Sequence, residues 1–180
     1  EPVVQQVADQ LMQTTSEPKA RVMAALQFVQ QQVRYLGIED GIGSHVPRKA
    51  SDTLYRRYGD CKDKTVLLMA LLKAMGFNPQ AALVNLEQGT ILPRQLPSPY
   101  AFDHVIVTLS LGEQQYWMDG TDLNQGSDLD TIGVPYLHYA LPVASDSKEL
   151  VAMDDKYRAP ETVLRRELWL DEPRSRLLVE

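Results

Sequence analysis

The single cysteine of this 180-residue chain, Cys61, stands in the stretch Tyr58-Gly59-Asp60-Cys61-Lys62-Asp63-Lys64. From Thr65 the sequence runs Val66, Leu67, Leu68, Met69, Ala70, Leu71, Leu72, Lys73, Ala74, Met75 and then Gly76. That is the pattern of a helix apolar on nearly every side, ended by a glycine, and such a helix belongs in the middle of a domain. Asp60 is its expected N-cap, and Cys61 falls in the first turn, among amides that have no intrahelical partner. Those amides and the helix dipole favour a thiolate over a thiol. The placement therefore points to a nucleophile rather than to the small buried hydrophobe that a lone cysteine otherwise is.

A thiolate nucleophile needs a base to take and return its proton, and the base needs an acceptor that fixes its tautomer. His104 and Asp119 fit both needs. In the run from His104 to Leu111, Val105, Val107, Leu109 and Leu111 alternate with His104, Ile106, Thr108 and Ser110, the signature of a half-buried strand. Gly112-Glu113 is a type II′ hairpin signal, and residues 115 to 119 return as the partner strand. With those two residues as the turn, paired positions sum to 225, so His104 and Asp119 share a face as diagonal neighbours. Their backbones are then about 7–8 Å apart, a gap the two side chains can close. A one-residue change in turn length would break this parity, and Asp119 could otherwise be a turn aspartate, with Asp122 the next candidate acceptor.

The elements that must hold these groups are legible in outline. Val3, Val4, Val7 and Leu11 form the stripe of a first helix ending near Thr14-Thr15. Ser16 is placed to cap a second, in which Val22, Leu26, Val29 and Val33 recur at helical spacing opposite Gln27, Gln30, Gln31 and Arg34. Residues 39 to 47 are too irregular to assign, and Ser51 is placed to cap a short helix from Asp52 to Arg57. Beyond Gly76, residues 81 to 86 read as a strand. A loop with Pro93, Pro97 and Pro99 then forms a cleft wall, and a further short strand lies near 141 to 144. Residues 163 to 170 and 176 to 179 resemble a second hairpin around Glu172-Pro173. The expected organisation is one domain over 1–155, followed over 156–180 by a linker and the start of another β-rich segment.

Composition narrows the functional classes. A chain with 44% hydrophobic residues can bury one real core. Its net charge of -6, with no basic stripe, speaks against a nucleic-acid partner. Its longest apolar run is far below the roughly 20 residues that span a bilayer. One cysteine excludes an internal disulfide and a multi-cysteine zinc site, and His45, His104 and His138 lack ligand spacing, so neither metal nor other cofactor is expected. Beginning at Glu1 rather than Met, the chain reads as a processed or excised piece of a longer protein.

Three blocks taken together carry a resemblance. They are Gly59-Asp60-Cys61-Lys62-Asp63-Lys64 with Leu67 to Gly76, then Phe102-Asp103-His104-Val105-Ile106-Val107, then Tyr116-Trp117-Met118-Asp119-Gly120-Thr121-Asp122. In this order they closely resemble the bacterial transglutaminase-like superfamily, over roughly Ala20 to Val143. The segment Val33 to Gly41, with Pro47 and Ala50, looks like the subgroup whose domain sits between β-rich domains in longer, often exported proteins, which implies the periplasm or cell surface. The resemblance implies an α+β, papain-like fold: N-terminal helices, with the Cys on a central helix packed against an antiparallel sheet that bears the His and Asp. It carries a triad over to Cys61, His104 and Asp119. It also suggests Tyr35, with the Cys61 amide, as oxyanion donor. Lys62, Asp63 and Lys64 follow the family motif but by spacing are first-turn solvent residues, and Tyr116-Trp117 is expected in the core. The implied partner is a peptide or protein whose amide is attacked by Cys61. Water is the expected acceptor, since no feature for a second substrate is visible; amine transfer, or a peptide-binding module without turnover, are the alternatives.

Overall fold

The computed structural model describes residues 1–37, 46–123, 125–133 and 137–153. Four helices come first: α1 (Pro2–Met12), α2 (Pro18–Gln32), α3 (Ala50–Arg56) and α4 (Cys61–Ala74). Two short strands, β1 (Arg34–Tyr35) and β2 (Tyr58–Gly59), pair in parallel among them. A five-stranded antiparallel sheet follows, built from β3 (Gln80–Val84), β4 (His104–Leu111), β5 (Gln114–Met118), β6 (Tyr139–Pro142) and β7 (Val151–Ala152). Its order is β5-β4-β3-β6-β7, which leaves β4 in the interior. Among the described residues no helix is long and apolar enough to cross a membrane.

α4 is the pillar of the fold. Leu67, Leu68, Leu71 and Leu72 are wholly buried, in one core with residues of α1, α2 and α3 and with Val107, Leu109, Tyr116 and Met118 of the sheet. The helix ends as its glycine predicts. Gly76 N–H donates to the Lys73 carbonyl and Phe77 N–H to that of Leu72, both at 3.0 Å, the paired bonds of a Schellman motif. The opposite face of the sheet has its own core of Ala82, Val84, Ile106, Trp117, Leu137, Ala140 and Met153. β4 is consequently buried on both faces from His104 to Leu109, where the alternation predicts only one.

The hairpin register is the expected one: Leu111 pairs with Gln114, Leu109 with Tyr116 and Val107 with Met118. Gly112 has φ +62° while Glu113 is not left-handed, the sign pattern of a II′ turn. Tyr116 and Trp117 are core, as expected.

Other boundaries and caps differ. α1 ends at Met12, and its buried residues are Val4 and Ala8, with Val3 exposed. Glu17, not Ser16, is the N-cap of α2, with Pro18 in its first turn, and Lys49, not Ser51, that of α3, which begins two residues early; neither makes a side-chain cap bond. The proline loop is tied down rather than open. It holds two 3₁₀ turns, Gly89–Arg94 and Pro99–Ala101, and Asn85 reaches across it to the Ala101 carbonyl at 2.9 Å. The core runs on past Val143: β7 pairs with β6 and Met153 packs beneath. The terminal hairpin, with most of the segment between Glu39 and Pro47, lies outside the described residues.

Candidate functional site

The first turn of α4, which carries Cys61, is fixed by carboxylates. Asp60 Oδ1 accepts from Asp63 N at 2.9 Å, and Asp60 N in turn reaches Asp63 Oδ2 at 3.4 Å, a reciprocal capping box. A Cβ on Gly59 would lie 2.6 Å from that of Asp63, so only glycine lets the box close. Asp63 also accepts from the Arg48 backbone N–H at 2.7 Å and its guanidinium at 2.6 Å. The first-turn charges are thus not solvent residues. Asp63 and Lys64 are each about 1% exposed, and Lys62 pairs with Asp60 at 2.7 Å. Lys64 turns inward and donates to the Val33 carbonyl, and burial pulls its ammonium down to about 8 against the opposing charge of Asp119.

Cys61, His104 and Asp119 come together, all buried. His104 Nε2 lies 2.7 Å from Asp119 Oδ2, and the Cys61 side chain is near enough to the imidazole to act on its titration. With Nε2 taken by the carboxylate, Nδ1 is the nitrogen left for the thiol. Burial works against an imidazolium, but the bond to Asp119 and the influence of Cys61 outweigh it and raise His104 to about 10. Burial would likewise raise Asp119, yet the bonds from His104 and Thr121 hold it below the ordinary carboxylate range. A buried polar bond fastens the two halves of the site together: Thr65 Oγ1, on α4, donates to the Val105 carbonyl on β4 at 3.1 Å.

Asp119 follows the last paired residue of β5 and is positioned by side chains that periodicity hides. Thr121 N–H and Oγ1 donate to its Oδ1 at 2.8 and 2.7 Å. Gln125 Oε1 accepts from the Asp119 amide at 2.8 Å while its Nε2 donates to the Trp117 carbonyl at 3.0 Å. Gln30, expected on the solvent face of α2, is buried and donates to the Asp119 carbonyl at 2.9 Å. No pattern of types or spacing marks Gln30 or Gln125 in the sequence, because their partners are backbone groups about 90 and 6–8 residues away. Tyr35 is on β1 in register with Gly59, two residues before Cys61; it is half exposed, and its hydroxyl lies over Gly37.

The His104 shift has a consequence for stability that is cleanest in a C61A protein, where no thiol proton enters the balance and Asp119 still holds the imidazole up. A group raised above its unfolded value of 6.5 contributes fully below that pH and loses its contribution as pH rises toward the folded value. Lys64, lowered by burial, acts in the opposite sense above about 8, so the informative window is pH 6.5 to 8. Across it the unfolding free energy of C61A should fall by about 1–2 kcal/mol in urea titrations, and that of C61A/H104Q should stay level. A level C61A profile would show that Asp119 does not hold the imidazolium.

The transglutaminase-like superfamily model matches residues 5–106, which include Cys61 and His104 and stop short of Asp119. No curated protein matches the chain in sequence. Among solved structures, a candidate protease of Parabacteroides distasonis aligns at 16% identity and TM-score 0.60, over 82% of this chain and 27% of that one. A candidate cysteine protease of Cytophaga hutchinsonii aligns at 17% and 0.53, over 94% and 55%. EGTA-treated LapG of Legionella pneumophila aligns at 11% and 0.50, over 81% and 85%. The chain thus spans about a quarter and about half of the first two, and the likeness is one of fold.

Proposed function

The chain belongs to the transglutaminase-like superfamily, and from that premise we propose that it is a thiol enzyme acting on amide bonds of a peptide or protein, most simply by hydrolysis. The observation that carries this reading is the imidazole of His104, bonded by Nε2 to Asp119 and acted on by the Cys61 side chain, at the N-terminal end of α4. Cys61 Sγ attacks the amide carbonyl while His104 holds the thiol's proton. The tetrahedral oxyanion takes the Cys61 backbone N–H, with Tyr35 as the second donor once its hydroxyl swings from Gly37. Collapse breaks the C–N bond, the proton passes from His104 to the leaving amine, and a thioester remains. Water then attacks it, giving its proton to His104, and acid and thiol are released. Asp119 keeps the imidazole in one tautomer throughout.

The test needs no knowledge of the natural substrate. p-Nitrophenyl acetate should give a burst of nitrophenolate equal to the enzyme present, an acetyl group on Cys61 by mass spectrometry, and neither in C61A. Absence of the burst in the native protein would leave a binding module. Adding a primary amine in excess separates the two acyl fates, since an amide product in place of acetate identifies amine transfer.

We also place the boundary of the catalytic domain near residue 155. A chain ending there should melt within a few degrees of the full chain and give the same burst. Loss of many degrees, or precipitation, would mean that residues 156–180 complete the sheet.

A further inference from the structure

A cavity of about 460 Å³ opens where the C-terminal end of α2 and β1 meet the turn after Asp119, with Gln30, Arg34, Tyr35, Arg57, Lys64 and Thr121 in its wall. It adjoins the flank of the site. Thr121 is bonded to Asp119, Tyr35 is in register with Gly59, and Lys64 is one turn along α4 from Cys61. Its charge is one-sided: among the described residues three cations and no carboxylate line it, in a chain where 24 acidic residues outnumber 18 basic ones.

The two arginines are held side by side by their backbones. Arg34 N–H donates to the Arg57 carbonyl at 2.8 Å, and Arg57 is left-handed at φ 60°. Arg57 lays its guanidinium over the Phe28 ring, 5.5 Å from the centroid, which supports one face of the plane and leaves its edge for an anion. Among the described residues the ion pairs of Lys19, Arg48 and Lys62 each have a carboxylate, and neither Arg34 nor Arg57 takes part in one. Guanidinium forks match the two oxygens of a carboxylate, and a concave wall of one sign concentrates the opposite charge.

We propose that this cavity is a carboxylate subsite, selecting amide substrates that carry an acidic group close to the bond attacked by Cys61. This rests on the thiol-enzyme reading above for the word substrate, but its test does not, because binding is measured on the C61A protein. The probes are N-acetyl-Ala-Gln-Glu-amide and N-acetyl-Ala-Gln-Gln-amide, which differ in one carboxylate. The glutamate peptide should bind C61A about tenfold more tightly by calorimetry, and the preference should shrink in 1 M salt. C61A/R34Q/R57Q should bind the two alike, while C61A/R34K/R57K, with an unchanged melting curve, should keep part of the preference. Equal binding of the two peptides by C61A, or a preference that survives R34Q/R57Q, would overturn the subsite. A preference without any acyl burst from the native protein would retain the subsite and remove the enzyme.

Discussion

Asp119→Asn is expected to leave a folded protein whose turnover is lower by about 10³–10⁴-fold, as in serine-protease triads. The geometry fixes how the amide would sit. Oδ1 of Asp119 accepts two bonds from Thr121, so the oxygen of an asparagine takes that place and its NH₂ group faces His104 Nε2. Nε2 must then accept, the ring proton moves to Nδ1, and the nitrogen beside Cys61 can no longer take the thiol's proton. Rotating the amide would set its N–H groups against those of Thr121. The burst rate with p-nitrophenyl acetate measures the loss, and far-UV circular dichroism the fold. A native-like rate would dismiss Asp119 from the chemistry. Unfolding would make it a structural residue, with Asp122 the next acceptor to try.

Asp63→Ala should be among the most destabilising single changes around the site, by about 2–4 kcal/mol. Loss of a capping partner costs about 1 kcal/mol. Hydrogen bonds to a charged group add about 1.5–3, reduced here because the Arg48 side chain is 42% exposed. The Arg48 backbone N–H would also lose its acceptor. For a chain of this length the melting temperature should fall by about 4–16 °C. Arg48→Ala, which spares the cap and the backbone bond, should cost under about 1 kcal/mol. A fall below 1 kcal/mol for Asp63→Ala would show that α4 holds its first turn without the box.

Asp63 also marks where the sequence ceases to be legible. α4 was readable because its signals are local: a capping aspartate, a run of leucines and a terminal glycine. The His104–Asp119 pair was readable because a two-residue turn fixes the parity of both strands, and parity alone puts the two side chains on one face. Lys62, Asp63 and Lys64 read as solvent residues because charge usually means exposure. Their burial depends on Asp60, Arg48 and the Val33 carbonyl, and the last two are far along the chain. Gln30 and Gln125 were hidden for the same reason. β1, β2 and β7 are two residues each, too short for any periodicity, and exist only because a neighbour offers its edge. The half-buried reading of β4 failed because alternation reports residue types, and Thr108 can be buried where Gln115 bonds its hydroxyl.

The double burial of β4 bears on how the site fails. This strand pairs with β3 over 104–108 and with β5 over 107–111, and on the β3 side the pairing continues past its first residue, where Asp103 N–H donates to the Val84 carbonyl and Asp103 Oδ1 accepts from Leu86 N–H. A segment so enclosed exchanges its amide protons only through openings that approach global unfolding. His104, buried and paired with Val84, is therefore expected to open only with the β3–β4 ladder. On the proposed reading, the base is then in place for as long as that ladder holds.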